Sequence, residues 1–348
     1  LSAWQRHVGA RRGVRPAIVF GRERDGAVLF MLPLAIQPSG FVRELVWLGM
    51  DLCDYTGPLL APDFTERVDR ACFSAAWNAL AERLAAVTRF DMIRLEKMPE
   101  RVGPQRNPML ALATRRNANG AWLTPLGSSW EEFYAAKRSG QTRRRDRSKR
   151  KHLDAHGDVR FVEPQTPDER LDTLDMLMRQ KSSSFARMGV ANLFEIPGYA
   201  DFYRAVSGEP IAHMSRLDVG AHPGAINLGL TMRGRYYHLL ASYTEDAEIA
   251  RLGPGAAHLQ EIVANAIRHG CTVFDFTIGD EPYKRDWCEE RQTLHDHLSA
   301  RTLAGHAAVA LHAGKLRLKR TIKENPRLWD AFTRTRAALA RVGRNGSA

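Results

Sequence analysis

Residues 251–270 read RLGPGAAHLQEIVANAIRHG and run directly into CTVFDFTIGDEPYKRDW over 271–287. A glycine turn opens an amphipathic helical pattern, and a short apolar strand pattern follows and ends in polar residues. Gly253 and Gly255 allow close backbone approach, and a helix starting near Ala256 leaves its first N–H groups without intrahelical partners. Arg251 adds a cation beside the positive end of the helix dipole, so the segment has the makings of a phosphate site. An ordinary strand-to-helix turn uses the same glycines, and the neighbouring segments decide between the two. Residues 225–232 and 236–243 read as antiparallel strands about a tight turn at Arg233-Gly234-Arg235. Hairpin, loop, helix and strand therefore follow in order. No Lys-Ser or Lys-Thr follows the glycines, and no third glycine or ribose-binding acid sits at the expected distance, which argues against a nucleotide triphosphatase or a dinucleotide enzyme.

The upstream half has a related layout. Residues 17–23, 27–36 and 44–50 read as strands, Gly57-Pro58 precedes a helical pattern over 65–88, and a strand begins at Phe90-Asp91. Downstream, Gly253-Pro254, a helix and Phe274-Asp275 repeat the scheme, with 33 residues from glycine to Phe-Asp in the first case and 21 in the second. The pattern predicts an old duplication with an insertion. The upstream turn lacks a second glycine and a nearby cation and has Asp54 close by, so that half is expected to be a cofactor-free scaffold.

A length of 348 residues with 44% hydrophobic composition supports two cores of ordinary size. The longest apolar run, 27–36, is too short to span a bilayer, and no cleavable signal is visible, so a cytoplasmic setting is expected. Cys53, Cys72, Cys271 and Cys288 have no paired spacing, which predicts reduced, structural thiols. The net charge of +12 is concentrated: nine basic residues face only Asp146 over 137–151, and ten face Glu324 and Asp330 over 315–344. Two such segments suggest a polyanionic partner: cofactor phosphates, tRNA, lipid head groups or an anionic polysaccharide. The first segment contains no aromatic residue, so no platform for base stacking is expected there. Residues 130–156 read as two helices joined near Ser139-Gly140, with Ser129 and Glu132 in a capping pattern; further helices are expected over 171–188 and 198–206.

The order of hairpin, loop, helix and strand resembles the GNAT superfamily of acyl-CoA-dependent acyltransferases. Within it the chain is similar to the CelD/BcsL-type acetyltransferases associated with cellulose and exopolysaccharide biosynthesis. The residues carrying the resemblance are RRRDRSKRKHLDAHG at 143–157, LGPGAA at 252–257, FDFTIGDEPYKRDW at 274–287 and LKRTIKENPRLWDAF at 318–332. One departure stands out: the family places Gln or Arg three residues before the first loop glycine, where this chain has Ala250, with Arg251 one place later. The resemblance, which extends to Fem-type aminoacyl transferases, implies an α/β (α+β) fold of two tandem GNAT-like halves, each a mixed, mainly antiparallel sheet flanked by helices. The divisions it implies are an N-terminal half at 1–125, a basic helical linker at 126–170, an acyltransferase half at 171–310 and a basic helical tail at 311–348.

It further implies acetyl-CoA or another acyl-CoA as co-substrate, held by Ser242, Tyr243, Arg251, Leu252, Gly253, Pro254, Gly255 and Ala256. A backbone N–H near 242–244 would stabilise the developing oxyanion. Asp280 and Glu281 are candidate bases, Tyr283 a candidate acid for the departing thiolate, and Lys284 a group that orients a carboxylate or binds an anionic substrate. Asp275 either points to the cleft or hydrogen-bonds within the strand. His295 and His297 alternate in a strand pattern over 293–300, which puts both on one face, but no carboxylate or thiolate set accompanies them and no metal is expected. His258 is expected to pack or to contact phosphate, and no Gly-x-Ser-x-Gly elbow points to a hydrolase. Three functions remain in play: acyl transfer to an amine or hydroxyl of a saccharide or small molecule, transfer from an aminoacyl-tRNA, and a non-catalytic role in a polysaccharide machine.

Overall fold

A computed structural model of the chain describes residues 1–325. In chain order its principal elements are β1 (Arg15–Arg22), β2 (Val28–Ser39), β3 (Val42–Trp47), α1 (Arg70–Val87), β4 (Met92–Pro99) and β5 (Thr114–Pro125). Then come α2 (Trp130–Lys137), α3 (Gly140–Asp154), β6 (Val159–Val162), α4 (Pro167–Met188), α5 (Tyr199–Ser207), β7 (Ala212–Val219), β8 (His222–Met232) and β9 (Arg235–Tyr243). The series closes with α6 (Pro254–Arg268), β10 (Val273–Ile278), β11 (Arg291–Ala300) and α7 (Leu303–Glu324).

Among the described residues these elements form two compact units, one of residues 1–120 with 292–325 and one of residues 121–291. The segment 126–170, expected as a linker, lies wholly inside the second unit. Most of the expected tail, 311–348, lies outside the described residues.

In the first unit β1, β2 and β3 pair antiparallel, β3 and β4 pair parallel, and β11 closes the sheet antiparallel to β4. In the second unit β7, β8 and β9 pair antiparallel with β6 at the edge, β9 and β10 pair parallel, and β5 closes the sheet antiparallel to β10. Each unit is therefore a three-stranded meander, a helix, a parallel strand and an antiparallel strand. The closing strands are exchanged in sequence order: β5 precedes the unit it closes, and β11 follows β10 but closes the first unit. The repeat also differs in register from the sequence reading. Phe274 and Asp275 lie inside β10, whereas Phe90 and Asp91 lie ahead of β4. The better equivalence is at the two left-handed residues, Lys97 in β4 and Thr277 in β10, with φ of 63° and 59°.

Local sequence accounts for the framework of the second unit. Arg233 and Gly234 both take positive φ, the two-residue hairpin geometry that matches strand twist. Helix α4 starts on a capping box between Thr166 and Glu169 with Pro167 in its first turn, and stops at left-handed Gly189. Its Leu174, Leu177 and Met178 pack on Met214, Ile226, Leu228 and Leu240 of the sheet. On α6, Leu259, Ile262, Val263 and Ala266 pack on Phe274 and Phe276. Ile262, Val263 and Ala266 of α6 and Phe274 and Phe276 of β10 are each at most 3% exposed, which fixes α6 relative to the sheet.

Candidate functional site

Gly253 takes φ 73° and hands the chain to α6 at Pro254, whose missing N–H would have had no helical partner in any case. A Cβ on Gly253 would lie 3.6 Å from Lys149 Nζ, and one on Gly255 would lie 3.9 Å from the Tyr243 ring. The glycine turn is thus bounded by the end of β9 on one side and by a lysine of the basic helix α3 on the other. Arg251, the cation expected beside the loop, is exposed and ion-paired with Glu248. Lys149 is the cation the fold brings to the turn. Helix α3 is held there by Arg150, which pairs with Glu261 at 2.9 Å, by Gln260, which donates to Asp146 at 3.2 Å, and by buried Leu153. Between α3 and α6 lies an open cleft of about 110 Å³ that Lys149, Leu252, Gly253, Ala256 and Gln260 help to line.

The second feature is the parting of β9 and β10. They pair only from Arg235–Tyr237 and Val273–Asp275. Beyond that, a bulge in β9 near His238 and one in β10 between Asp275 and Thr277 turn the strands apart. Thr244 donates to Gly224 O at 2.9 Å, so by the two-residue period Ser242 also faces β8, while Ala241 and Tyr243 turn their backbone groups toward the opening. Lys181 of α4 confirms that direction by donating to Ala241 O at 3.0 Å. Of the backbone N–H groups at 242–244, that of Tyr243 is the one that faces the opening. The Ser242 hydroxyl is spent on Gln180, at 2.8 Å.

The candidate acids and bases divide sharply. Asp275 is fully buried, accepts from the Thr277 N–H at 2.8 Å and pairs with Arg235 at 3.4 Å, which makes it a group that shapes the bulge. Asp280 accepts from Arg291 at 2.7 Å. Glu281 is half exposed, pairs with Lys284 at 2.9 Å, and its charge acts on both Lys181 and Tyr283. Lys284 is itself buried and donates to Ile278 O at 3.0 Å. Burial pushes the Tyr283 phenol up, with Glu281 adding to the shift, so it stays protonated at neutral pH. Burial also lowers the Lys181 amine below its ordinary range. His238, facing Phe274 and Phe276, is pushed down to about 3, first by burial and then by the charges of Lys284 and Lys181. Sequence spacing does not single these groups out: Lys181 and His238 each stand alone in a helix or strand far along the chain from the residues they meet, and Lys149 is one of nine basic residues at 137–151.

Elsewhere the expected groups do not assemble a site. A register shift separates His295 from His297; the first meets Glu100 at 3.3 Å, and the second meets Ala113 O and Ser299, each at 3.0 Å. Among the described residues no group of His, Cys, Asp or Glu is placed to hold a metal ion. Within the basic segment Lys137 pairs with Glu289 and Arg138 with Asp286. His258 is buried against Ser215 at 3.0 Å, a packing role. The basic segment itself has no aromatic residue, but rings from outside it lie nearby: Trp130 stacks on Tyr134 at 4.8 Å and lies 6.4 Å from Trp287.

Residues 140–285 match the family described as the acetyltransferase (GNAT) domain. The matched span begins at the first residue of α3 and runs past Lys284, so it contains the glycine turn, the parted strands and every acid-base candidate discussed for the second unit. Among solved structures the chain is similar to FemX, at 13% identity over 86% of this chain and 89% of that one, with a TM-score of 0.58. It is also similar to the C-terminal domain of a putative lysylphosphatidylglycerol synthetase from Agrobacterium fabrum, at 12% identity over 86% and 88%, with a TM-score of 0.52. A third similarity is to L-PGS from Bacillus licheniformis, at 13% identity over 84% and 88%, with a TM-score of 0.50. At these identities the likeness is one of fold, and it extends over both units. No curated protein sequence matches the chain significantly. No helix among the described residues is long and apolar enough to cross a membrane.

Proposed function

We propose that the chain is an acyltransferase that moves an acetyl or other acyl group from acyl-CoA to an amine or hydroxyl. The observation that carries this reading is the meeting of the Gly253–Gly255 turn with Lys149 on one side and with the open edge of β9 on the other. The first-turn N–H groups of α6 and the Lys149 ammonium would hold the pyrophosphate. The edge of β9 would carry the pantetheine, and the Tyr243 N–H would stabilise negative charge growing on the thioester carbonyl oxygen. Glu281 is the carboxylate best placed to take the proton of the attacking amine or hydroxyl, with Lys284 holding it in place; Asp280 is tied to Arg291. Tyr283, kept protonated by its surroundings, would return a proton to the departing thiolate. Asp275 supports this arrangement by fixing the bulge. The first unit would act as a cofactor-free scaffold, and the resemblance to CelD/BcsL-type enzymes points to a saccharide acceptor in polysaccharide biosynthesis.

A second reading, an aminoacyl-tRNA donor as in Fem-type transferases, is favoured by one observation: Arg144, Arg145, Arg147 and Lys151 are exposed along α3. Calorimetric titration of acetyl-CoA into the purified chain tests the first reading, with a dye-linked assay of thiol release in the presence of amino and hydroxyl sugars. Micromolar binding with acceptor-dependent thiol release is expected. Absence of acetyl-CoA binding by folded protein would overturn the acyl-CoA reading, and salt-sensitive tRNA binding in its place would establish the second.

A further inference from the structure

We propose that the cleft between α2, α3 and α6 is a subsite for an adenine base, placed so that the phosphates attached to it reach the Gly253 turn. The inference rests on the reading of that turn as a phosphate site and adds a specificity element to it. Trp130, at the start of α2, lines the same cleft as Lys149 and Gly253. The indole is fixed in place: it stacks on Tyr134 at 4.8 Å with 15° between the planes, and Trp287 lies behind the group under the Arg138 guanidinium at 5.2 Å. A rigid half-buried aromatic next to a cation is what base stacking requires, because the ring loses little entropy when it is covered.

The polar groups along the cleft separate base from phosphate. Asp146 sits in its wall, where its Oδ2 accepts from Tyr134 OH at 2.7 Å and from Gln260 Nε2 at 3.2 Å. A carboxylate there repels phosphate but accepts from an exocyclic amine, and the amide of Gln260 offers both a donor and an acceptor to a ring edge. Lys149 and the turn, at the other end, suit the phosphates. Trp130 precedes the span 140–285 that matches the GNAT domain, so this contribution comes from outside that domain. The same chemistry, an adenosine with phosphate, occurs in CoA and at the 3′ end of an aminoacyl-tRNA.

The test is calorimetry on the full chain with Trp130→Ala and Trp130→Phe, using acetyl-CoA, S-acetyl-pantetheine, adenosine 3′,5′-bisphosphate and the trinucleotide CCA as probes. The expected result is a rise in the acetyl-CoA Kd of about fivefold or more for the alanine variant, with the phenylalanine variant near the parent. The bisphosphate should follow the same pattern, and S-acetyl-pantetheine, which has no base, should bind parent and variant alike. A folded Trp130→Ala protein that binds acetyl-CoA and the bisphosphate as the parent does would overturn the subsite while leaving the acyl-CoA reading intact. Binding of CCA that depends on Trp130, with no binding of acetyl-CoA, would keep the subsite and overturn the acyl-CoA donor. No binding of any adenosine probe to the parent would overturn the subsite. If the alanine variant does not fold, Gln260→Ala replaces it, with the same outcomes read on the same probes.

Discussion

Replacing Gly255 by Glu should move stability and ligand binding in opposite directions. The residue is the second of α6, its backbone is helical, and a Cβ there meets nothing closer than the Tyr243 ring at 3.9 Å. Glycine in a helix is less favourable than an ordinary residue by roughly 0.5–1 kcal/mol, and a carboxylate in the first turn gains about 0.3–1 kcal/mol from the dipole. The variant should therefore melt at the parent temperature or a few degrees above it. An acyl-CoA pyrophosphate at the same turn would face the new carboxylate at about 5–8 Å, where two unit charges at an effective dielectric of about 20 repel by roughly 2–3 kcal/mol. The acetyl-CoA Kd should accordingly rise about 30- to 160-fold, with part of the loss recovered at high salt. Gly255→Gln, of the same size and uncharged, should lose much less. Calorimetric titration and a thermal melt on the same samples read both effects. A Glu variant that binds within threefold of the parent would refute the phosphate assignment, and one that loses binding only because its melting temperature collapses would refute the argument that the turn tolerates a side chain.

Three further outcomes follow from the buried ionisable groups. His238 and His258 are each pushed down to about 3 by burial, so between that value and the ordinary 6.5 the unfolded chain binds more protons than the folded one. Stability should rise with pH across this window and fall on acidification, by about 2 kcal/mol per histidine at pH 5, and urea titrations of His258→Gln should show a shallower acid slope. Lys181 is lowered by burial, so its charged form is strained in the fold; stability should climb as pH rises through the range below the ordinary lysine value, and Lys181→Met should flatten that climb. Lys284→Met should cost about 1–3 kcal/mol in urea denaturation by leaving the Ile278 carbonyl without its donor, a loss that a merely exposed Lys284–Glu281 pair would not produce.

Local grammar made much of the second unit legible. The Arg233-Gly234 turn, the glycine before α6 and the break between α2 and α3 at Ser139-Gly140 are each set by residues within a few positions of one another, and the structure has all three. Contacts between distant segments were not legible. Helix α3 buries only Leu153, so its sequence has the pattern of a solvated basic face, and nothing in it shows that Lys149 reaches a glycine of the later loop. Strand β7 went unread because its polar Ser215 and Arg216 interrupt the apolar pattern, and the exchange of β5 and β11 between units leaves no local mark at all. The Phe-Asp pairing failed for a related reason: a repeated dipeptide carries less information than a repeated backbone constraint, and the positive φ of Lys97 and Thr277 becomes visible only in three dimensions.

That repeated constraint gives a physical basis for treating the two units differently. Both have a helix that follows a meander and precedes a parallel strand, so both aim a helix N-terminus and its dipole at the same place in the topology. In the first unit the Asp69 carboxylate caps that helix and accepts from the Cys72 N–H at 2.7 Å. A negative charge already satisfies the end of the helix there, and a phosphate would have to displace it. In the second unit the capping position is Gly253, which has no side chain, and the nearest charged group to its missing Cβ is the Lys149 ammonium. One helix thus supplies its own anion and the other leaves the place open with a cation beside it. The difference rests on one side chain at each cap and needs no difference in fold.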